Sequence, residues 1–129
     1  MIKIKRILLP TDFSDCAKQA MKYALDFAVE SKAKLYILHV IQELSIPAGT
    51  EEVMYPIAQI YEDLEREAKK NIQRLVPKRL KEKVRVENII IRGTPYLEII
   101  KAAKKYDIDL ITIATHGRTG ISHVLLGST

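Results

Sequence analysis

The chain has 129 residues, 47% of them hydrophobic and 29% charged, with a formal net charge of +5. That length suits one domain, residues 1–129, around a single apolar core, and the composition excludes a disordered protein. No apolar run reaches the ~20 residues that a membrane-spanning helix needs, and the lone cysteine, Cys16, excludes an internal disulfide and fits a reducing compartment.

The N-terminus, MIKIKRILLPTD, places charges before an apolar stretch, as a secretory signal does. That stretch is only three residues long and meets Pro10 and Asp12 without a small-residue cleavage site. It reads as a strand from Ile4 to Leu9 in a cytosolic protein. Ser14 can cap the helix that follows, accepting from free amides of the first turn. That helix runs to about Ser31, with Ala17, Ala20, Met21, Ala24, Leu25 and Ala28 on one apolar stripe. Cys16 near its start is expected to be small and packed or half-buried. Leu35 to Ile41 is a near-continuous apolar run, the pattern of a strand buried on both faces. A loop holding Pro47, Gly49 and Pro56 leads to a second helix with Ile57, Ile60, Leu64, Ala68, Ile72 and Leu75 in register, stopped by Pro77.

Val84 to Ile91 is the third strand. Gly93 turns the chain, Thr94 is expected to cap, and Pro95 suits the first position of a third helix ending near Tyr106. Asp109 to Ala114 is the fourth strand. The order βαβαβαβ predicts an α/β fold, an open parallel sheet with helices on both faces and right-handed crossovers. Eight Lys/Arg and one Glu lie between Lys69 and Arg85. This run falls on the outer face and C-terminal end of a helix, where cations suit the dipole, and it lacks the aromatics or recognition helix of a nucleic-acid binder. A solvated surface is expected there, and neither nucleic acid nor membrane as partner.

Open parallel sheets bind ligands beyond the C-terminal ends of their strands, where strand order reverses. Two segments stand at such ends. Pro10-Thr11-Asp12 follows the first strand, and Asp12 could accept from a nucleobase amine or a ribose hydroxyl, or only cap a turn. The second is ATHGRTGISHVLLGST, residues 114 to 129, with glycines at 117, 120 and 127. Glycines let backbone amides approach phosphate oxygens, and Gly127-Ser128-Thr129 looks like the start of a helix whose N-terminus would add positive potential. The spacing is neither a Walker P-loop nor a dinucleotide fingerprint. His39, inside an apolar strand, is expected to be a hydrogen-bonded core residue. His116 would orient the loop and His123 would sit on its surface, and the three lack metal-ligand spacing. No Ser–His–Asp grouping is evident, and a phosphotransfer receiver is disfavoured because the third strand ends Ile91-Arg92-Gly93, without a phosphoacceptor.

KRILLPTDFS, LYILHVI and ATHGRTGISHVLLGS together resemble the universal stress protein family, over the whole chain and in the same order. Nucleotide-binding members carry Gly, two residues, Gly, nine residues, Gly and then Ser or Thr. Here Gly117, Gly127 and Ser128 match, while Ala114 stands at the first glycine. The resemblance implies an adenine-nucleotide α-hydrolase-like, Rossmann-like fold with strand order 3-2-1-4-5. It implies that Asp12 approaches the adenosine, with Pro10 and Thr11 shaping the wall, Val40 meeting adenine through its backbone and Ala114 beside the ribose. Gly117, Gly127, Ser128 and Thr129 would face the phosphates, with His116 and Arg118 beside them. The ligand implied is ATP, or AMP or ADP, with magnesium or manganese alongside, and the assembly implied is a homodimer. Relative to the family, the C-terminal helix and fifth strand are missing, which would leave the fourth strand with a bare edge. The expected function is nucleotide-linked regulation in a stress response, with slow ATP hydrolysis at most. The alternative is a dimeric interaction module that binds no nucleotide.

Overall fold

The structure, a computed structural model, describes residues 3–43, 51–114 and 122–126, with backbone alone over 51–55 and 122–126. In chain order its elements are β1 (Arg6–Pro10), α1 (Asp15–Ser31), β2 (Lys34–Gln42), α2 (Glu51–Arg74), α3 (Lys78–Lys81), β3 (Val86–Gly93), α4 (Pro95–Lys105), β4 (Leu110–Ala114) and β5 (Ser122–Leu126). The sheet order is β3-β2-β1-β4-β5. β1 pairs in parallel with β2 and with β4, and β2 with β3.

The path steps outward from β1 through β2 to β3, then returns past β1 to β4. Right-handed crossovers therefore place α1 and α2 on one face and α4 on the other. Two apolar clusters follow from this. On the first face Ile7, Leu9, Leu35 and Ile37 pack against Ala20, Ala24 and Ala28 of α1 and Ile72 of α2. On the second, Leu8, Tyr36 and Leu38 pack against Ala102 of α4 and Ile108. Alternation along β1 and β2 supplies both clusters from the same strands, which is why those strands read as continuous apolar runs. The alanine stripe of α1 lets its axis lie close on the sheet. Ser14 caps that helix as expected, accepting from the Ala17 amide at 3.2 Å. Lys32 closes it in the left-handed region at φ 55, donating to the Ala28 and Val29 carbonyls.

Several boundaries differ from expectation, each for a physical reason. β1 spans Arg6–Pro10, and β3 lies two residues later than its apolar run, because Val84 is buried in the turn before it rather than paired in it. β4 begins at Leu110, because the Asp109 carboxylate instead accepts from the Lys5 and Arg6 amides at 2.8 and 3.1 Å, tying the starts of β4 and β1 together. α2 begins at Glu51 and carries Pro56 inside it; the proline forfeits one bond, to the carbonyl four residues back. Its apolar stripe is only half used. Ala68 and Ile72 are buried, whereas Ile60 and Leu64 stay 45% and 44% exposed. At 1.5 Å per residue a helix of 24 residues spans about 36 Å, some 10 Å more than the 8-residue β3 at about 3.3 Å per residue. The N-terminal part of α2 thus outruns the sheet. Thr94 occupies the N-cap of α4, but its side chain makes no cap hydrogen bond; Pro95 follows at the first position and Glu98 supplies negative charge in the first turn.

The bare outer edge expected on β4 is also corrected. Ser122–Leu126, read from sequence as part of a loop, forms β5 and pairs antiparallel with β4, from Ala114 opposite Ser122 to Leu110 opposite Leu126. An antiparallel partner needs only a short connection, unlike a fifth parallel strand, which needs a crossover. Among the described residues no helix is long and apolar enough to cross a membrane.

Candidate functional site

The strand order reverses between β1 and β4, and a cleft of about 330 Å³ opens at their C-terminal ends. β1 contributes Pro10, and the turn after it contributes Thr11 and Asp12. Leu38, Val40 and Gln42 line it from β2, Ile113 and Ala114 from β4, Ala17 from α1, and Pro95 and Ile99 from α4. The walls are mainly apolar, and Thr11, Asp12 and Gln42 are the polar side chains among those lining residues. The first turns of both α1 and α4 abut the cleft, so two helix N-termini bring their partial positive charge to it.

The turn bearing Asp12 is closely specified. The Thr11 amide donates to the Leu38 carbonyl at 2.8 Å, carrying the β1–β2 ladder one step past the strand. Thr11 is 8% exposed, and its hydroxyl accepts from the Phe13 amide at 3.1 Å. Asp12 is exposed, and its carboxylate accepts from the Ser14 amide at 2.9 Å. Asp12 therefore does cap a turn, as one reading of the sequence held, and it does so while facing the cleft. His39 is half-buried and hydrogen-bonded, its Nδ1 2.8 Å from the Thr11 carbonyl oxygen. Cys16 is half-buried.

Five of the residues singled out from sequence, Pro10, Thr11, Asp12, Val40 and Ala114, thus line one cleft. The others, His116, Gly117, Arg118, Gly127, Ser128 and Thr129, lie outside the described residues. Sequence reasoning missed Leu38 and Gln42, although a period of two from Val40 points to both. It also missed Ile99, one helical turn beyond Pro95 on the same face. Ala17 reads from sequence as part of an apolar helix stripe, Pro95 as a first helical position and Ile113 as strand, since an apolar wall leaves no distinctive mark.

Among the described residues no three His, Cys, Asp or Glu side chains stand together as a metal cage. Asp12 is the one carboxylate among the cleft's lining residues.

Comparison with known proteins supplies the family. The model of the universal stress protein family matches residues 3–129. The chain is 31% identical over 139 residues to universal stress protein MJ0577 of Methanocaldococcus jannaschii, covering 98% of this chain and 86% of that one. It is 32% identical over 128 residues to universal stress protein MJ0531 of the same organism, covering 96% and 72%. The solved structure of MJ0577 superposes with a TM-score of 0.75 at 32% identity, over 98% of this chain and 85% of that one. Universal stress protein UspA from Lactobacillus plantarum gives a TM-score of 0.76 at 26% identity, over 92% and 83%. With the parallel sheet, the reversal cleft and a match of this extent in hand, the chain belongs to the universal stress protein family.

Proposed function

We propose that the cleft binds an adenine nucleotide and that binding is how this stress protein is regulated, with hydrolysis slow or absent. One observation carries the reading: Pro10, Thr11, Asp12, Val40 and Ala114, from three different strand ends, line a single concavity at the reversal of strand order. A volume of about 330 Å³ is at the lower end of the ~300–1,000 Å³ usual for small-molecule sites, and it suits the nucleoside part of such a ligand. Apolar side chains from β2, β4 and α4 offer faces to a purine ring. Asp12 offers an acceptor to a sugar hydroxyl or an exocyclic amine. The phosphates would extend toward the glycine-rich segment that begins after Ala114, with any magnesium or manganese carried between their oxygens.

A second reading, a homodimeric interaction module that takes no nucleotide, draws support from α4. Its Tyr96, Leu97 and Ile100 are 64%, 43% and 49% exposed, an apolar strip suited to a protein partner. Titration calorimetry with ATP, ADP and AMP, with and without magnesium, separates the two readings. The nucleotide reading expects saturable heat and a rise in melting temperature, both diminished in Asp12→Ala. Neither heat nor thermal shift at millimolar nucleotide, with a stable dimer by light scattering, would leave the second reading standing instead.

A further inference from the structure

The turn that carries Thr11 and Asp12 is gripped from the side away from the cleft. Phe13 sits at φ 65, a left-handed conformation that a bulky residue keeps only where its surroundings over-determine it. Two amides are fixed within the turn, Phe13 donating to Thr11 Oγ1 at 3.1 Å and Ser14 donating to Asp12 Oδ1 at 2.9 Å. The remaining restraint comes from β2. His39 Nδ1 is 2.8 Å from the Thr11 carbonyl oxygen, and the His39 ring lies 4.5 Å from the Phe13 ring at 33°.

His39 stands in β2 between Leu38 and Val40, which line the cleft, so the strand period sends its side chain to the opposite face. It reaches the turn without lining the site. A carbonyl oxygen can only accept, so Nδ1 is the nitrogen that carries the proton. One side chain thus holds both the carbonyl before Asp12 and the aromatic ring after it.

We propose that His39 is a positioning residue for the cleft: by holding the Thr11 carbonyl and the strained Phe13, it sets where the Asp12 carboxylate stands and so sets affinity for the nucleotide. The inference rests on the nucleotide reading of the cleft. It predicts that the identity of residue 39 governs binding out of proportion to its effect on folding.

The test uses the full chain with ATP and magnesium, and three substitutions. His39→Asn puts an amide nitrogen near the position of Nδ1 and keeps a donor. His39→Phe keeps a ring against Phe13 and loses the donor. Asp12→Ala removes the carboxylate that His39 is said to position. Calorimetry should give about a tenfold loss of affinity in His39→Phe, the scale of one hydrogen bond, and less than about threefold in His39→Asn. In the Asp12→Ala background, His39→Phe should cost almost nothing further. Losses that simply add, or His39→Asn as weak as His39→Phe, overturn the proposal.

Nitrogen-15 spectra of the wild-type chain provide a check that needs no variant, since the neutral ring must carry its proton on Nδ1. A bare Nδ1 overturns the brace even if every variant folds poorly. If the wild-type chain takes up no ATP, the proposed function falls and the affinity half of this inference with it. The tautomer, and amide exchange at Phe13 and Ser14 in His39→Phe, then still decide whether the brace exists.

Discussion

Gly93 ends β3 and hands the chain to α4, whose first turns wall the cleft. A Cβ placed there would meet Glu98 Oε1 at 2.7 Å, Cγ at 2.8 Å and Cδ at 3.0 Å, with φ at +158. The Glu98 side chain is only 12% exposed and is paired with Lys101 at 3.5 Å. Gly93→Ala therefore meets two separate penalties. Displacing the Glu98 stem costs about 1–2 kcal/mol by analogy with overpacked sites, and the backbone adds about 1 kcal/mol, since φ lies at the margin of the extended region. Together these lower the melting temperature by about 6–12 °C for a chain of this size.

Glu98→Ala alone removes an ion pair to the exposed Lys101 and a first-turn charge, worth about 0.5–1 kcal/mol. It also removes all three atoms that the new methyl would strike. In the double variant Gly93→Ala should then cost only its backbone share, so a double-mutant cycle should show about 1–2 kcal/mol of favourable coupling. Urea denaturation of the four proteins at equal concentration measures this directly. If the two costs add within about 0.5 kcal/mol, contact with Glu98 is not what demands glycine, and the steric argument is wrong.

Three further outcomes follow from the same structure. Thr112 is fully buried and its Oγ1 has no hydrogen-bond partner among the described residues, so the isosteric Thr112→Val should raise stability by about 1 kcal/mol, and a lower denaturation midpoint would show a missed partner. Ser14→Ala removes the hydroxyl that accepts from Ala17 and should cost about 1 kcal/mol in the same assay, whereas Ser14→Asp should cost little. The Glu87 carboxylate 3.0 Å from Lys34 raises the lysine pKa above its ordinary 10.5, chiefly through their hydrogen bond; desolvation opposes this, and Tyr36 and the charge of Glu87 add smaller upward contributions. A raised lysine contributes stability that is fully present below the unfolded pKa and is lost as pH rises through the folded one. The midpoint difference between wild type and Lys34→Gln should therefore hold from neutral pH to about 10.5 and vanish above it; a difference that grows with alkalinity contradicts the sign.

Much of the fold was legible because alternation and punctuation agree along most of the chain. Continuous apolar runs marked β1 and β2 as interior strands, Ser14 and Pro95 marked helix starts, and the element order implied the reversal that opens the cleft. β5 escaped notice because His123-Val124-Leu125-Leu126 sits between glycines, and local composition does not reveal that this segment turns back to pair with the edge of β4. Pro56 reads from sequence as part of the loop before α2 because local propensity weighs against proline, yet one lost bond does not end a helix that docks elsewhere along its length. Ile60 and Leu64 kept the helical period without being covered, since period reports a face and not what lies against it. In the cleft, Pro10-Thr11-Asp12 stood out at a strand end and Val40 and Ala114 came only with the family resemblance, while Ala17, Ile99 and Ile113 look the same whether they face a ligand or a neighbour.

The helix α4 serves two masters at once. Pro95 and Ile99 near its start touch the cleft, while Ala102 further along seals the second apolar cluster against Leu8 and Tyr36. Because a rod cannot give way at one end without tilting at the other, a molecule seated against Ile99 would also change how firmly that hydrophobic layer is clamped. Tyr96 and Ile100, exposed on the same short helix, would shift with it.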